Sequence, residues 1–316
     1  MARAFVFPGQ GSQAVGMGRA LAEAYPAARA VFDEVDAALG ERLSATIWDG
    51  PEDALALTAN AQPALMAMSM AVVRALQAEG VDVAAEAAFV AGHSLGEYSA
   101  LCAAGALSVA DAARLLRLRG QAMQTATPVG VGAMAALLGV DLPAAAEIAA
   151  EAAEGQVCAA ANDNAPGQVV VSGDRAAVER AVALAAARGA KKAVMLSVSA
   201  PFHCALMAPA AEAMRAALAE VEIRRPNPAL VANVVAEAVD DPERIRALLV
   251  AQVTGAVRWR ESVAWMATQG VTELVELGAG KVLSGLAKRI DKGLTARAVG
   301  APEDVAAFAR AIGEAA

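Results

Sequence analysis

The feature that most constrains this chain is a five-residue turn, Gly92-His93-Ser94-Leu95-Gly96. It follows an apolar stretch, Glu86–Gly92, that reads as a strand, and it precedes helical spacing over Glu97–Ala104 and Val109–Met123. Glycines two before and two after the serine let the backbone turn sharply from strand to helix and leave room for a reactant to approach Oγ. At the N-terminus of the following helix, backbone N–H groups point to where an oxyanion would develop. The turn therefore predicts an α/β chain and makes Ser94 a candidate nucleophile. The plain alternative is an ordinary βα turn.

The flanking sequence fits a sheet able to carry such a turn. Ala4–Phe7 reads as a strand ending at Pro8-Gly9, with helical periodicity over Met17–Tyr25 and Ala27–Leu39, and Gln62–Gln77 reads as a buried helix. Ala229–Asn233 and Thr272–Glu276 read as further strands and Ala210–Val221 as a helix. Strands separated by helices predict a largely parallel sheet. The middle of the chain differs. Strands at Gly132–Val140, Val157–Ala161, Gln168–Ser172 and Lys192–Leu196, with helices at Pro143–Glu154 and Ala176–Arg188 and a turn at Asn162–Gly167, give the order βαββαβ of a ferredoxin-like unit. The expectation is an inserted subdomain at 127–198 within a larger domain made of 1–126 and 199–316, a natural division for 316 residues.

Composition narrows the function classes. The chain is 57% hydrophobic, but alanine inflates the figure, and apolar runs such as Ala64–Val73 are interrupted within about a dozen residues, short of the ~20 a membrane span needs. The apolar stretch at the N-terminus is too short for a signal peptide, so a cytoplasmic protein is expected. A net charge of −8 with 3% aromatics argues against nucleic-acid binding. Cys102, Cys158 and Cys204 show neither metal-ligand spacing nor a disulfide framework and read as buried free thiols.

A serine hydroxyl needs a base to take its proton. The chain holds two histidines. His93 is Ser94's neighbour on the turn, where its ring should point away and pack or hydrogen-bond, which leaves His203 in Ser199-Ala200-Pro201-Phe202-His203-Cys204. No Asp or Glu stands out as a third member, and a backbone carbonyl would also hold the imidazole tautomer. Arg119, in Leu116-Arg117-Leu118-Arg119-Gly120, lies on a different flank of its helix from Arg114 and Arg117. It reads equally as a solvated helix arginine or as a buried fork that grips a carboxylate. Phe7-Pro8-Gly9-Gln10-Gly11-Ser12-Gln13 follows the first strand, where α/β folds place ligand sites, but it lacks the lysine of a phosphate loop.

Together these residues resemble the malonyl-CoA:acyl carrier protein transacylase family, which includes the acyltransferase domains of polyketide and fatty acid synthases. The matching stretches are Phe7–Gln13, Gly92–Ala100, Arg119–Met123, Gly132–Ala136, Asn162–Val170, Pro201–Met207 and Glu276–Leu286, in the family's order along nearly the whole chain. The resemblance implies an α/β-hydrolase-like large domain with a ferredoxin-like insert. It implies Ser94 as the acyl-carrying nucleophile, His203 as base, and Arg119 as partner of the malonyl carboxylate. It further implies an oxyanion hole from the backbone N–H groups of Gln10 and Leu95, and the main-chain carbonyl of Gln252 as the group that orients the histidine. Phe202, before the histidine, fits members that prefer malonyl over methylmalonyl, and Met123 and Asn162 are expected in the substrate pocket. The expected chemistry is ping-pong, without metal or bound cofactor. Malonyl-CoA is the substrate, and phosphopantetheine arrives on a transiently bound acyl carrier protein. The chain is expected to act as a monomer, with no nucleic acid or membrane partner. Arg188, Lys191, Lys192, Lys288, Arg289 and Lys292 are candidates for docking an acidic carrier. Two rival classes share parts of the pattern: a serine esterase or thioesterase, and a catalytically idle carrier-docking module.

Overall fold

The computed structural model of the chain describes residues 2–128 and 130–314. Ten strands form two sheets. The larger contains β1 (Arg3–Phe7), β2 (Ala87–Gly92), β7 (Leu230–Ala232), β8 (Glu237–Val239), β9 (Glu273–Leu277) and β10 (Thr295–Val299), in the order β10-β9-β1-β2-β7-β8. All its pairings are parallel except β7 with β8. The smaller contains β3 (Gly132–Leu138), β4 (Cys158–Ala165), β5 (Gln168–Asp174) and β6 (Lys192–Met195), in the order β4-β5-β3-β6, antiparallel throughout. The chain is thus α/β, with a mostly parallel sheet and a separate antiparallel one.

The central strands are short apolar runs flanked by helices on both faces, as a parallel sheet requires. All of β9 is buried, as is β1 after Arg3. The longest helix, Thr58–Ala78, is buried on nearly all sides, which suits its alanine- and methionine-rich sequence. It begins four residues before the predicted Gln62 and keeps Pro63 inside its first turns. Proline has no N–H to offer the carbonyl of Ala59, and Arg117 Nη1 donates to that carbonyl at 2.8 Å. The helix Val109–Thr125 crosses here at Gly120, where an added Cβ would lie 2.6 Å from Ala59 Cα. A glycine at this crossing lets the two backbones approach, and that brings Arg119 beside Gln62.

Three expectations are corrected. Asn162–Gly167 is not a turn, since β4 runs through Ala165 and only Pro166-Gly167 connects to β5. Asn and Asp favour turns because their side chains satisfy local backbone groups, but here distant groups do so. Asp163 N donates to Val257 O, and Val257 N donates to Ala161 O, each at 2.9 Å. These two bonds stitch the edge of the small sheet to the loop before the helix Trp259–Thr268. Second, Cys158 is half-buried, whereas Cys102 and Cys204 are buried; all three are free. Third, the expected strand Ala229–Asn233 is shorter, Leu230–Ala232, and releases Asn233 to bond elsewhere. No helix among the described residues is long and apolar enough to cross a membrane.

The nucleophile turn depends on absent side chains. A Cβ on Gly92 would sit 1.9 Å from the carbonyl carbon of Gly96, and one on Gly96 would sit 2.3 Å from Phe7 O. Gly92→Ala is expected to destabilise the protein by ~3 kcal/mol or more, because neither neighbour is a flexible side chain. Gly285→Ala, where an added methyl meets nothing within a helix, should be neutral or stabilising by up to ~1 kcal/mol. Urea unfolding of both variants checks the contrast.

Candidate active site

Ser94 stands between β2 and the helix Gly96–Ala103 with φ +53°. A positive φ is uncommon for a residue with a Cβ, and the turn is held from outside. Asn233, just past β7, accepts from Ser94 N through Oδ1 at 2.8 Å and donates to Gly92 O through Nδ2 at 2.7 Å. His203 lies between Pro201 and the short 3-10 turn Ala205–Met207, also at positive φ, +58°. Its Nε2 is 2.8 Å from Ser94 Oγ. Its Nδ1 faces two acceptors, the main-chain oxygens of Gln252 at 2.8 Å and Gly255 at 3.1 Å. Carbonyls only accept, so Nδ1 carries the proton of the neutral ring and Nε2 is left to accept from the serine hydroxyl.

Burial and the neighbouring Arg119 charge push the His203 pKa down to about 3, against the pull of the two carbonyls. The imidazole is therefore neutral at physiological pH, the form that can take a proton from serine.

Arg119 is buried at 1% exposure, which decides between its two readings. Nη1 donates to Gln62 Oε1 at 2.7 Å, and Nη2 donates to Gln252 Oε1 at 2.8 Å and to Ser94 Oγ at 3.1 Å. Nε has no partner among the described residues. Ser94 Oγ thus sits between a neutral imidazole and a guanidinium. Arg114 and Arg117, by contrast, pair with Asp111 and Glu41 at the helix surface.

A cavity of about 610 Å³ opens onto this group, between the large sheet and the faces of β3, β4 and β5. Ser94, Leu95, His203, Arg119, Gln10, Met123, Asn162 and Phe202 all line it. Gln252 lies behind them, within the wall. Neither Gln10 N nor Leu95 N donates to a protein acceptor among the described residues, and both residues line the cavity. His93 packs and hydrogen-bonds as expected, with Nε2 2.8 Å from Asn164 Oδ1 and its ring 5.9 Å from that of Trp259, and it is among the residues lining the cavity.

Sequence reasoning missed Gln62, Glu97, Asn233 and Asn164. Glu97 had a visible signal, a charged residue in the otherwise apolar helix Gly96–Ala103. Gln62 had one too, a polar residue opening a long apolar run. Asn233 had none, because its importance comes from where β7 ends. Among the described residues no group of three or more His, Cys, Asp or Glu is placed to hold a metal ion.

Fold and site together are those of an acyltransferase. The chain belongs to the acyl transferase family, whose domain it matches over residues 4–304. It is 49% identical over 304 residues to the malonyl CoA-acyl carrier protein transacylase of Escherichia coli K12, an alignment covering 96% of this chain and 97% of that protein. The solved acyl-carrier-protein S-malonyltransferase of Bartonella henselae is 57% identical, with a TM-score of 0.97 over 99% of this chain and all of that one. A malonyl-transacylase solved in complex with a type II PKS acyl-carrier protein is 43% identical, with a TM-score of 0.95 over 98% of this chain and 100% of that one.

The depressed His203 pKa carries a stability signature. The unfolded chain takes up a proton near the ordinary histidine value of 6.5, and the folded one resists until about 3. Stability from the neutral ring is complete above the unfolded value and is lost as pH falls toward the folded one. Between about pH 6 and about pH 4, the wild type should lose ~1.4 kcal/mol per pH unit more than His203→Gln. Chemical denaturation across that range tests the slope.

Proposed function

We propose that this protein transfers a malonyl group from malonyl-CoA to the phosphopantetheine thiol of an acyl carrier protein, through a malonyl ester of Ser94. The observation that carries the reading is Ser94 Oγ, held 2.8 Å from His203 Nε2 and 3.1 Å from Arg119 Nη2 at the floor of the cavity. One neighbour takes the proton, and the other is the charge a malonyl carboxylate needs. The 43% identical transacylase in complex with its carrier supports the choice of acceptor.

As Oγ attacks the thioester carbon, its proton passes to His203 Nε2, and the N–H groups of Gln10 and Leu95 receive the oxyanion. Collapse breaks the C–S bond, the departing sulfur takes the proton back from Nε2, and free coenzyme A leaves a malonyl-serine ester. In the second half the carrier's thiol gives its proton to His203 and attacks the ester carbon, and Ser94 Oγ leaves with that proton. The Gln252 and Gly255 carbonyls facing Nδ1–H stabilise the imidazolium as it forms. Arg119 charge is one of the causes that depress the His203 pKa. A malonyl carboxylate paired with Arg119 offsets that charge, so the base strengthens when the correct acyl group is present.

Phe202 packs against the patch formed by Met134, Ala161 and Val170, and its ring crowds an added α-methyl, worth ~1–3 kcal/mol of preference for malonyl. The strand order β4-β5-β3-β6 with its two helices supports assigning 127–198 as a ferredoxin-like insert in an α/β-hydrolase-like domain. The basic residues proposed to meet an acidic carrier, Arg188, Lys191, Lys192, Lys288, Arg289 and Lys292, are all exposed. Arg188 is engaged by Glu151 and Arg289 by Gln168.

Intact-mass spectrometry after brief exposure to malonyl-CoA should show a malonyl adduct on the wild type and none on Ser94→Ala. Phosphopantetheinylated carrier should discharge the adduct, whereas steady release of free malonate in place of transfer would make the protein a hydrolase. Arg119→Ala should lower kcat/KM for malonyl-CoA by ~10- to 100-fold more than for acetyl-CoA, the worth of a charge-assisted pair. Equal losses with both substrates would remove Arg119 from carboxylate recognition.

A further inference from the structure

Glu97 has no part in the steps above, yet among the described residues it is the one acidic side chain that reaches the machinery from inside. It is 2% exposed, on the first turn of the helix that follows Ser94. Both carboxylate oxygens are engaged. Oε1 accepts from the backbone N–H of Asn233 at 2.6 Å, and Oε2 accepts from Gln252 Nε2. Each partner leads to a different reacting group. Asn233 holds the strained turn on both sides of Ser94 through Ser94 N and Gly92 O. Gln252 donates to Ser94 O at 2.9 Å, accepts from Arg119 Nη2 through Oε1, and presents its main-chain oxygen to His203 Nδ1.

From this connectivity we propose that Glu97 is a positioning residue that fixes the orientation of the Gln252 amide and the place of Asn233, and so aligns Ser94, His203 and Arg119 together. The inference rests on the reading of Ser94, His203 and Arg119 given above. The orientation of the Gln252 amide is the key. With its NH2 on Glu97 and Ser94 O, its oxygen faces the guanidinium. Turned over, it would set an NH2 against Arg119 and an oxygen against a carboxylate, unfavourable on both sides. A carboxylate at 97 forbids that flip, because it only accepts. A glutamine at 97 cannot accept from both Asn233 N–H and Gln252 NH2, since its own NH2 must face one of them. The charge also matters. Arg119 is buried with neutral contacts only, and Glu97, once ionised, places a negative charge one amide away.

The test uses a small uncharged fluorophosphonate that labels an activated serine, alongside malonyl transfer from malonyl-CoA. Arg119→Ala removes a contact on Ser94 Oγ as well as the charge facing the substrate, and should lower malonyl transfer by a clearly larger factor than labelling. Glu97→Gln should lose both, each by ~10- to 100-fold, the effect of breaking a hydrogen bond to a charged group. The exchanged double variant Glu97→Gln/Gln252→Glu restores an amide–carboxylate pair and should recover part of the labelling, but not malonyl transfer, because its carboxylate now faces Arg119. It also carries the comparison if the single variant does not fold.

The pH profile gives a second readout. Burial pushes the Glu97 carboxyl up to about 8, against the Asn233 N–H, the Gln252 amide and the Arg119 charge. Arg119 and Tyr98 are the charged or titratable groups that act on it, and burial pushes Tyr98 up to about 12 and His203 down to about 3. Wild-type labelling should therefore rise toward a plateau above about pH 8, and the rise should be missing in Glu97→Gln. A folded Glu97→Gln that labels at the wild-type rate with the wild-type pH profile overturns the proposal. Labelling that survives in Ser94→Ala instead overturns the nucleophile assignment beneath it, so the two failures are told apart.

Discussion

A guanidinium lies in the interior of this protein with no carboxylate within bonding reach among the described residues. Removing such a charge from water costs several kcal/mol after relaxation, and a direct ion pair is the usual compensation. Arg119 instead receives two glutamine oxygens and a serine hydroxyl. Neutral acceptors stabilise the ion without cancelling its field, so the field remains at the cavity. Much of the surrounding architecture serves this arrangement. Gly120 lets the Val109–Thr125 helix close on Thr58–Ala78 so that Gln62 reaches Nη1, and Gln252 comes from another helix to reach Nη2. A direct Asp or Glu partner would make the site more stable and remove the unsatisfied charge that an acidic acyl group can pair with.

The same field shapes the base. It opposes a second positive charge on His203, and burial acts in the same direction. A neutral ring is ready to accept a proton but is a weak base, and a negative group beside Arg119 would relieve part of the penalty. In the proposed reaction, recognition and proton transfer are linked through that one charge. Backbone strain at both reacting residues belongs to the same economy. Positive φ at Ser94 and at His203 costs on the order of 1–3 kcal/mol each, and each is held by bonds made elsewhere: Asn233 to the serine turn, and the Gln252 and Gly255 carbonyls to the imidazole.

What the sequence disclosed followed from local physics. The β2 turn was legible because glycine spacing and an apolar run are local facts, and the structure places Gly92 and Gly96 where no side chain fits. Helix and strand periods located most elements to within a few residues. The errors came where a distant group overrode a local preference. Asn162 and Asp163 look like turn residues until Val257 and Arg260 supply partners across the sheets. Asn233 is unremarkable in sequence because its role depends on the exact end of β7. The short antiparallel β8 and the edge strand β10 lack a strong apolar pattern, being only partly buried, and went unassigned. Arg119 was balanced between two readings because a helix period gives a direction but not a depth.

The two sheets divide the work unequally. Ser94, Gln10, Arg119, Gln252 and Asn233 all belong to the large-sheet side, whereas Met134, Asn162, Asn164 and Val170 line the cavity from the small sheet. His203 stands at the junction. Two residues before it, Pro201 packs so closely on Gly132 at the start of β3 that an added Cβ there would lie 2.2 Å from its Cγ. The Phe202 ring lies on the small sheet's apolar patch, and the buried Cys204 leads into the 3-10 turn Ala205–Met207. His203 is therefore registered against both sheets, while Ser94 is registered against one. A shift of the small sheet would change the distance from His203 to Ser94 before it disturbed the serine turn itself. The stitch through Asp163, Val257 and Arg260 resists such a shift, so contacts far from Ser94 and His203 set how constant the distance between them remains.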